Sequence, residues 1–242
     1  MLTAVKRRAR KKTEERARRA LRIAGLGLAA LFAGSLLWVG LYRFAPPPGT
    51  LTMLERKMSG DVIIHPWTRL GDISPNLVLA VIAAEDSRFC LHYGLDFEAI
   101  EKAAEDNSKG ARRRGGSTIS QQTAKNAFLW NGGGWARKAV EAWYTLVMET
   151  LWPKRRVMEV YLNLAEWGDG NFGAEAAARA RFGKSAKNLT AQEAALLAAV
   201  LPSPNRWRLD PPGPYVRRRA AMLRKRMEVV RRDGLASCVL PS

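Results

Sequence analysis

Cysteine and histidine are nearly absent from this chain of 242 residues, with only Cys90, Cys238, His65 and His92 present. Two thiols cannot build a disulfide framework or a cysteine-rich zinc site, and two imidazoles exclude a multi-histidine metal centre. Whether the two cysteines pair is left open by their spacing. Acidic side chains are also scarce, 22 against 40 Lys and Arg, a formal charge of +18. A chain this basic expects anionic company: nucleic acid, an anionic membrane or a phosphate-bearing substrate. Internal repeats are missing, and so is the GxxxxGK[ST] phosphate loop. Strand-like character is confined to one short stretch, "LTMLERKMSGDVIIHPWTRL".

Long hydrophobic runs, by contrast, are represented once and clearly. Ten basic side chains lie between Lys6 and Arg22, opposed by Glu14 and Glu15, and "IAGLGLAALFAGSLLWVGLY" follows without a charge from Ile23 to Tyr42. Twenty residues at about 1.5 Å each match the roughly 30 Å hydrocarbon core of a bilayer. Trp38 and Tyr42 fall near the far end, where amphipathic rings favour the interface. A cleavable leader needs a shorter apolar core and a small-residue cleavage site. The expected organisation is therefore a basic cytoplasmic tail (1–22), a single transmembrane helix (23–42), a Pro-rich linker with a short irregular or strand region (43–71), and one translocated domain (72–242).

That domain reads as mainly helical. Ser74-Pro75 pairs an N-cap with Pro at the first helical position. Further helices are expected over Trp135–Trp152, stopped by Pro153, over Lys154 to about Trp167, after the Thr190–Glu193 capping box, and near Val216–Arg232. On the last of these, Leu223, Met227 and Val230 form the buried stripe, and the basic remainder suits a solvated face or the neighbourhood of anionic lipid head groups. On the Trp135 helix the expected core stripe is Val140, Trp143, Tyr144, Val147 and Leu151.

Two stretches carry chemistry. In "PNLVLAVIAAEDSRFCLHYGLD", Val78, Val81, Ile82 and Phe89 share one face, and Glu85 takes a place in that stripe. A carboxylate among apolar side chains loses hydration, so its pKa rises and it becomes a stronger base. Asp86 falls roughly 100° round the helix from it, suited to bracing the next loop, with His92 and Asp96 as companions. In "RRRGGSTISQQTAKNAFLW", two glycines and Ser117, Thr118, Ser120, Gln121 and Gln122 offer donors and acceptors fit for sugar hydroxyls and phosphate oxygens. Arg112 to Arg114 and Lys125 add positive charge. Beyond these, Arg137 and Glu141 stand one turn apart with Lys138 beside them, either a surface ion pair or the cations and second carboxylate of a pyrophosphate site.

"EDSRFCLHYGLD", "GGSTISQQTAKN", "RKAVEAW", "KRRVMEVYLN" and "FGKSAKNLTAQEAALLAAVLPSP" occur in the order and spacing of the peptidoglycan glycosyltransferases. Over about Asp72–Pro204 the chain resembles that family, as in the glycosyltransferase half of class A penicillin-binding proteins, with no transpeptidase domain attached. The resemblance implies a lysozyme-like, mainly α fold at the outer face of the inner membrane, acting on lipid II and a lipid-linked glycan strand. It implies Glu85 as catalytic base and Glu141 as second carboxylate, aiding pyrophosphate departure directly or through a divalent cation such as Mg²⁺ or Mn²⁺. Lys125, Arg137 and Lys138 match cationic positions about the phosphates, and Ser117, Thr118, Gln121 and Gln122 the donor-binding motif. Asp86, Phe89 and His92 match structural positions near the site. Proteins of cell-wall synthesis or division are the kind of partner it suggests.

Two other readings are weaker. A lytic enzyme cutting the same polymer also uses a helix-borne Glu, but needs no cationic pyrophosphate site. A nucleic-acid module would interleave base-stacking aromatics with its cations, and the basic tail and last helix lack them.

Overall fold

The computed structural model describes residues 2–108 and 116–240. Two units divide between Tyr42 and Arg43. The first is almost entirely helix α1, Leu2–Phe44, longer than expected in both directions, because its basic run is made of the strong helix formers Ala, Leu, Lys and Arg. Within α1, Glu15–Phe44 is long and apolar enough to cross a membrane. Pro46 to Pro48 cannot continue the helix.

The second unit opens with α2, Leu51–Met58, where strand character was expected. Thr50 decides the outcome: its side chain caps Met53 N, and Met53 Sδ accepts from Thr50 N. The strand tendency survives downstream only as an isolated parallel bridge between Ile64 and Asn171. Helix α3, Pro75–Glu85, starts as the sequence predicts, with Ser74 Oγ accepting from Asn76 N. Leu77 to Ala83 are all buried, so α3 is a core helix enclosed on every side rather than one with a single apolar stripe. It also stops at Glu85. Asp86 takes an extended conformation (φ −160°), and the two carboxylates stand at the helix's C-terminal end instead of its middle. Phe89 is fully buried, yet it belongs to the following loop and not to α3.

Helix α4, Phe97–Ser108, escaped the sequence analysis. Asp96 starts it by accepting from Ala99 N. After residues 109–115, which include Arg112 to Arg114 and lie outside the described residues, come α5 (Ile119–Phe128) and α6 (Gly134–Leu151). Helix α7 spans Lys154–Leu164, three residues short of Trp167, which is buried in the next loop. Helix α8 (Ala174–Phe182) was also missed; α9 (Ala191–Val200) carries the expected capping box, and α10 is Pro214–Arg232. Leu223, Met227 and Val230 are buried as expected.

The helices pack in two groups: α3 against α9 and α10, and α5 against α6 and α7. On α6 the expected core stripe holds only in part: Val147 is buried, and Tyr144 and Leu151 are half-buried. Val140 and Trp143 are exposed, and the inward face is Glu141, Thr145, Val147, Met148 and Glu149. The polar groups turn inward because α5 and α7 supply partners there: Ser120 Oγ donates to Glu149, and Lys154 lies 2.8 Å from the same carboxylate. The cysteines do pair. Cys90, in the loop after α3, is bonded to Cys238 beyond α10, and the tail is held further by Arg155 donating to Val239 O.

One glycine in the loop after α3 has no substitute. Gly94 sits at φ +78°, and a Cβ there would lie 2.7 Å from Thr145 Cγ2 and 3.0 Å from Glu149 Cγ. Gly94→Ala is expected to lower stability by about 1–3 kcal/mol, read as a lower denaturant midpoint at unchanged slope.

Candidate active site

Glu85 ends α3 half-buried at the join of the two helical groups. Loss of hydration raises its pKa above the ordinary 4.5. A hydrogen bond from Gln122 Nε2 to Glu85 Oε2, 3.0 Å, and the charge of Arg219 pull the other way, and Asp86 adds to the rise. Gln122 is held in turn: Tyr161, fully enclosed on α7, donates its hydroxyl to Gln122 Oε1 at 3.4 Å. That bond selects the amide orientation presenting N–H to the carboxylate.

Asp86 is buried and braces the surroundings. Its oxygens lie 3.0 and 3.1 Å from His92 Nε2, and Oδ2 accepts from Ile119 N at 3.0 Å, in the first turn of α5. Phe89 packs beneath Lys154, whose Nζ is 4.4 Å from the ring centroid. Asp96 comes close to Asp86 and His92, but it also pairs with Arg88 at 3.3 Å.

Of the polar run opening α5, only part faces the site. Thr118 and Gln121 bond each other in a capping box, and Thr118 Oγ1 donates to Gly94 O. Both are buried, so their side chains hold the first turn of α5 in place rather than projecting as open donors. Gln122 and Lys125, one turn apart, line a polar cavity with Thr50, Thr52, Asn131 and Tyr161.

Lys125 faces the α6 group. Burial lowers its pKa below 10.5, Glu141 opposes that shift, and Arg137 and Lys138 reinforce it. Arg137 Nη1 donates to Glu141 Oε2 at 2.8 Å, Lys138 Nζ donates to Oε1, and Lys138 Nζ also reaches Ser117 Oγ at 3.1 Å. Glu141 is 2 % exposed, so of the two readings left open the surface ion pair fails, although Lys138 stays partly exposed. Three cations thus gather about one carboxylate. Both oxygens of Glu141 are already taken by cations, so this donor set fits an anion and not a divalent metal ion.

Tyr161, Glu149 and Arg219 stand at or beside the site and were not singled out from the sequence. Tyr161 falls within "KRRVMEVYLN", where it reads as an ordinary core aromatic; the other two sit in helical patterns that give no sign of inward charge.

A helical unit that seats a desolvated glutamate beside a cationic anion site is the architecture of a glycosyl-transferring enzyme. The chain belongs to the transglycosylase family, whose sequence profile it matches over residues 55–229. It is 58% identical over 218 residues to a biosynthetic peptidoglycan transglycosylase of Rhodospirillum centenum, covering 88% of this chain and 94% of that one. Proteins of the same description match from Caulobacter vibrioides, at 52% identity over 92% of this chain and 97% of the relative, and from Pseudomonas aeruginosa, at 51% over 81% and 87%.

Proposed function

We propose that the chain polymerises lipid II into β-1,4-linked glycan strands for cell-wall synthesis, releasing undecaprenyl pyrophosphate. Glu85 takes the proton from the 4-hydroxyl of the acceptor GlcNAc. The freed oxygen bonds to C1 of the donor MurNAc as the C1–O bond to pyrophosphate breaks, so the configuration at C1 inverts. Lys125, Arg137 and Lys138 meet the negative charge that grows on the departing pyrophosphate. Glu141 spaces Arg137 and Lys138 and keeps their repulsion in check, while Gln122 orients Glu85. Ser117 adds a hydroxyl beside Lys138, and Thr118 and Gln121 secure the helix turn that presents Gln122 and Lys125. The single observation that carries this reading is the pairing of a desolvated carboxylate, Glu85, with an excess of cations on the adjoining helices α5 and α6.

The lytic alternative has no use for those cations. Helix α1 supports an inner-membrane location with the basic N-terminus in the cytoplasm and the catalytic unit in the periplasm. A lipid-tailed substrate is then met at the surface it cannot leave, and partner proteins of wall synthesis or division would share that surface.

The test is incubation with labelled lipid II in bilayer vesicles. The full chain is expected to convert it to polymer, and removal of residues 1–43 to slow this by about 10-fold or more through loss of local concentration. Absence of polymer from the full chain would overturn the activity; equal rates for both forms would overturn the positional role of the anchor.

A further inference from the structure

Arg219 is a charged side chain that this reaction scheme leaves unused. It lies on α10 between buried Val216 and buried Ala220, on the shoulder of the face that packs on α3. Its Nε is buried and has no hydrogen-bond partner among the described residues. Removing a guanidinium nitrogen from water without a partner costs free energy, so the placement calls for a physical account.

The course of the two helices supplies it. Near the end of α10, Arg231 Nη2 donates to Asn76 Oδ1 at 3.4 Å, in the first turn of α3. Pro75 and Leu79 share a groove with Val230 and Arg231 at that same end. Going back twelve residues along α10 covers about 18 Å, and going forward nine along α3 covers about 14 Å. Antiparallel packing therefore brings Arg219 level with the C-terminal end of α3, where Glu85 stands within reach of a long side chain.

We infer that Arg219 is a positioning residue acting through Glu85: across the α3–α10 contact its guanidinium holds that carboxylate ionised and oriented for proton abstraction. The inference rests on Glu85 being the base. Among the described residues, the charged or titratable groups facing Glu85 are Arg219 from α10, Tyr161 from α7 and the adjoining Asp86, together with uncharged Gln122 from α5. Asp86 and the negative end of the α3 dipole both disfavour a charged Glu85. Arg219 is the cation in that set and the counterweight to both.

Without Arg219 the carboxylate holds its proton to higher pH, so the base is switched off earlier as pH falls. In the full-length protein, Arg219→Met and Arg219→Gln are expected to move the acid limb of kcat/KM for labelled lipid II upward by about 0.5–1 pH unit. That is roughly a 3- to 10-fold loss on the acid side which shrinks as pH rises. Arg219→Lys, which keeps the charge, is expected to hold the limb within about 0.3 units of its original place. A loss equal at every pH in the neutral variants, or the same displacement in Arg219→Lys, overturns the inference and leaves Arg219 a packing residue. Glu85→Gln, run alongside, separates the two ideas: its retention of activity sinks the base assignment, whereas an inactive Glu85→Gln with an unmoved limb in the Arg219 variants sinks only this one.

Discussion

Glu85→Gln is expected to lower polymerisation of labelled lipid II by about 10²- to 10⁴-fold, the range of a positioned general base. Gln keeps the shape and still accepts from Gln122 Nε2, so the hydrogen bond that orders residue 85 survives. What disappears is the ability to take a proton. The drop should appear in kcat as well as kcat/KM, because proton removal belongs to the transition state and not to substrate capture. In the unaltered enzyme, activity should fall with decreasing pH around a value above the ordinary 4.5, since loss of hydration at Glu85 outweighs Gln122 and Arg219. Polymerisation by the variant within about 3-fold of the parent, against that range, would remove Glu85 from the mechanism.

Opening the Cys90–Cys238 bond is expected to cost up to about 5 kcal/mol of stability, the chain-entropy figure for a closed loop of this size. The cysteines are 148 residues apart in sequence, and the unlinked unfolded chain regains all of that freedom. Cys238→Ser isolates the effect, because the hydroxyl replaces a sulfur whose residue is otherwise held by its backbone N–H on Cys90 Sγ. The measurement is the denaturant midpoint of the oxidised parent, the reduced parent and the variant. The last two should agree with each other and fall well below the first. Coincident midpoints for all three would mean that the tail, with Arg155 on Val239 O and buried Val239 and Ala236, is secured by packing alone.

The sequence was most legible where a local rule acts alone. Ser74, Thr190 and Pro153 place helix boundaries through caps and a missing N–H, and the structure puts the boundaries there. It was least legible where burial is settled by partners distant in the chain. Glu149 looks like a surface acid on an α6 whose apolar residues seem to mark the core, and the spacing of Arg137 and Glu141 suits a surface ion pair as well as a pyrophosphate site. Ser120, 29 residues back on α5, inverts that choice for Glu149 by hydrogen-bonding it inside, and Lys154 of α7 adds charge to the same carboxylate. The same limit applies to Asp86, whose backbone partner Ile119 lies 33 residues away. Glu85 was identified as a desolvated acid on the assumption that α3 continues past it. The helix instead ends there, and burial comes from α5, α7 and α10 gathered around the end rather than from a stripe along one side.

The α5–α6–α7 group is contiguous and needs only neighbouring segments to form, whereas α3 finds its packing partners in α9 and α10, more than a hundred residues later. Closing so long an interval is entropically slow compared with local helix pairing. The cations proposed to meet phosphate are thus assembled from adjacent segments, whereas the placement of the proposed base depends on helices that are synthesised last.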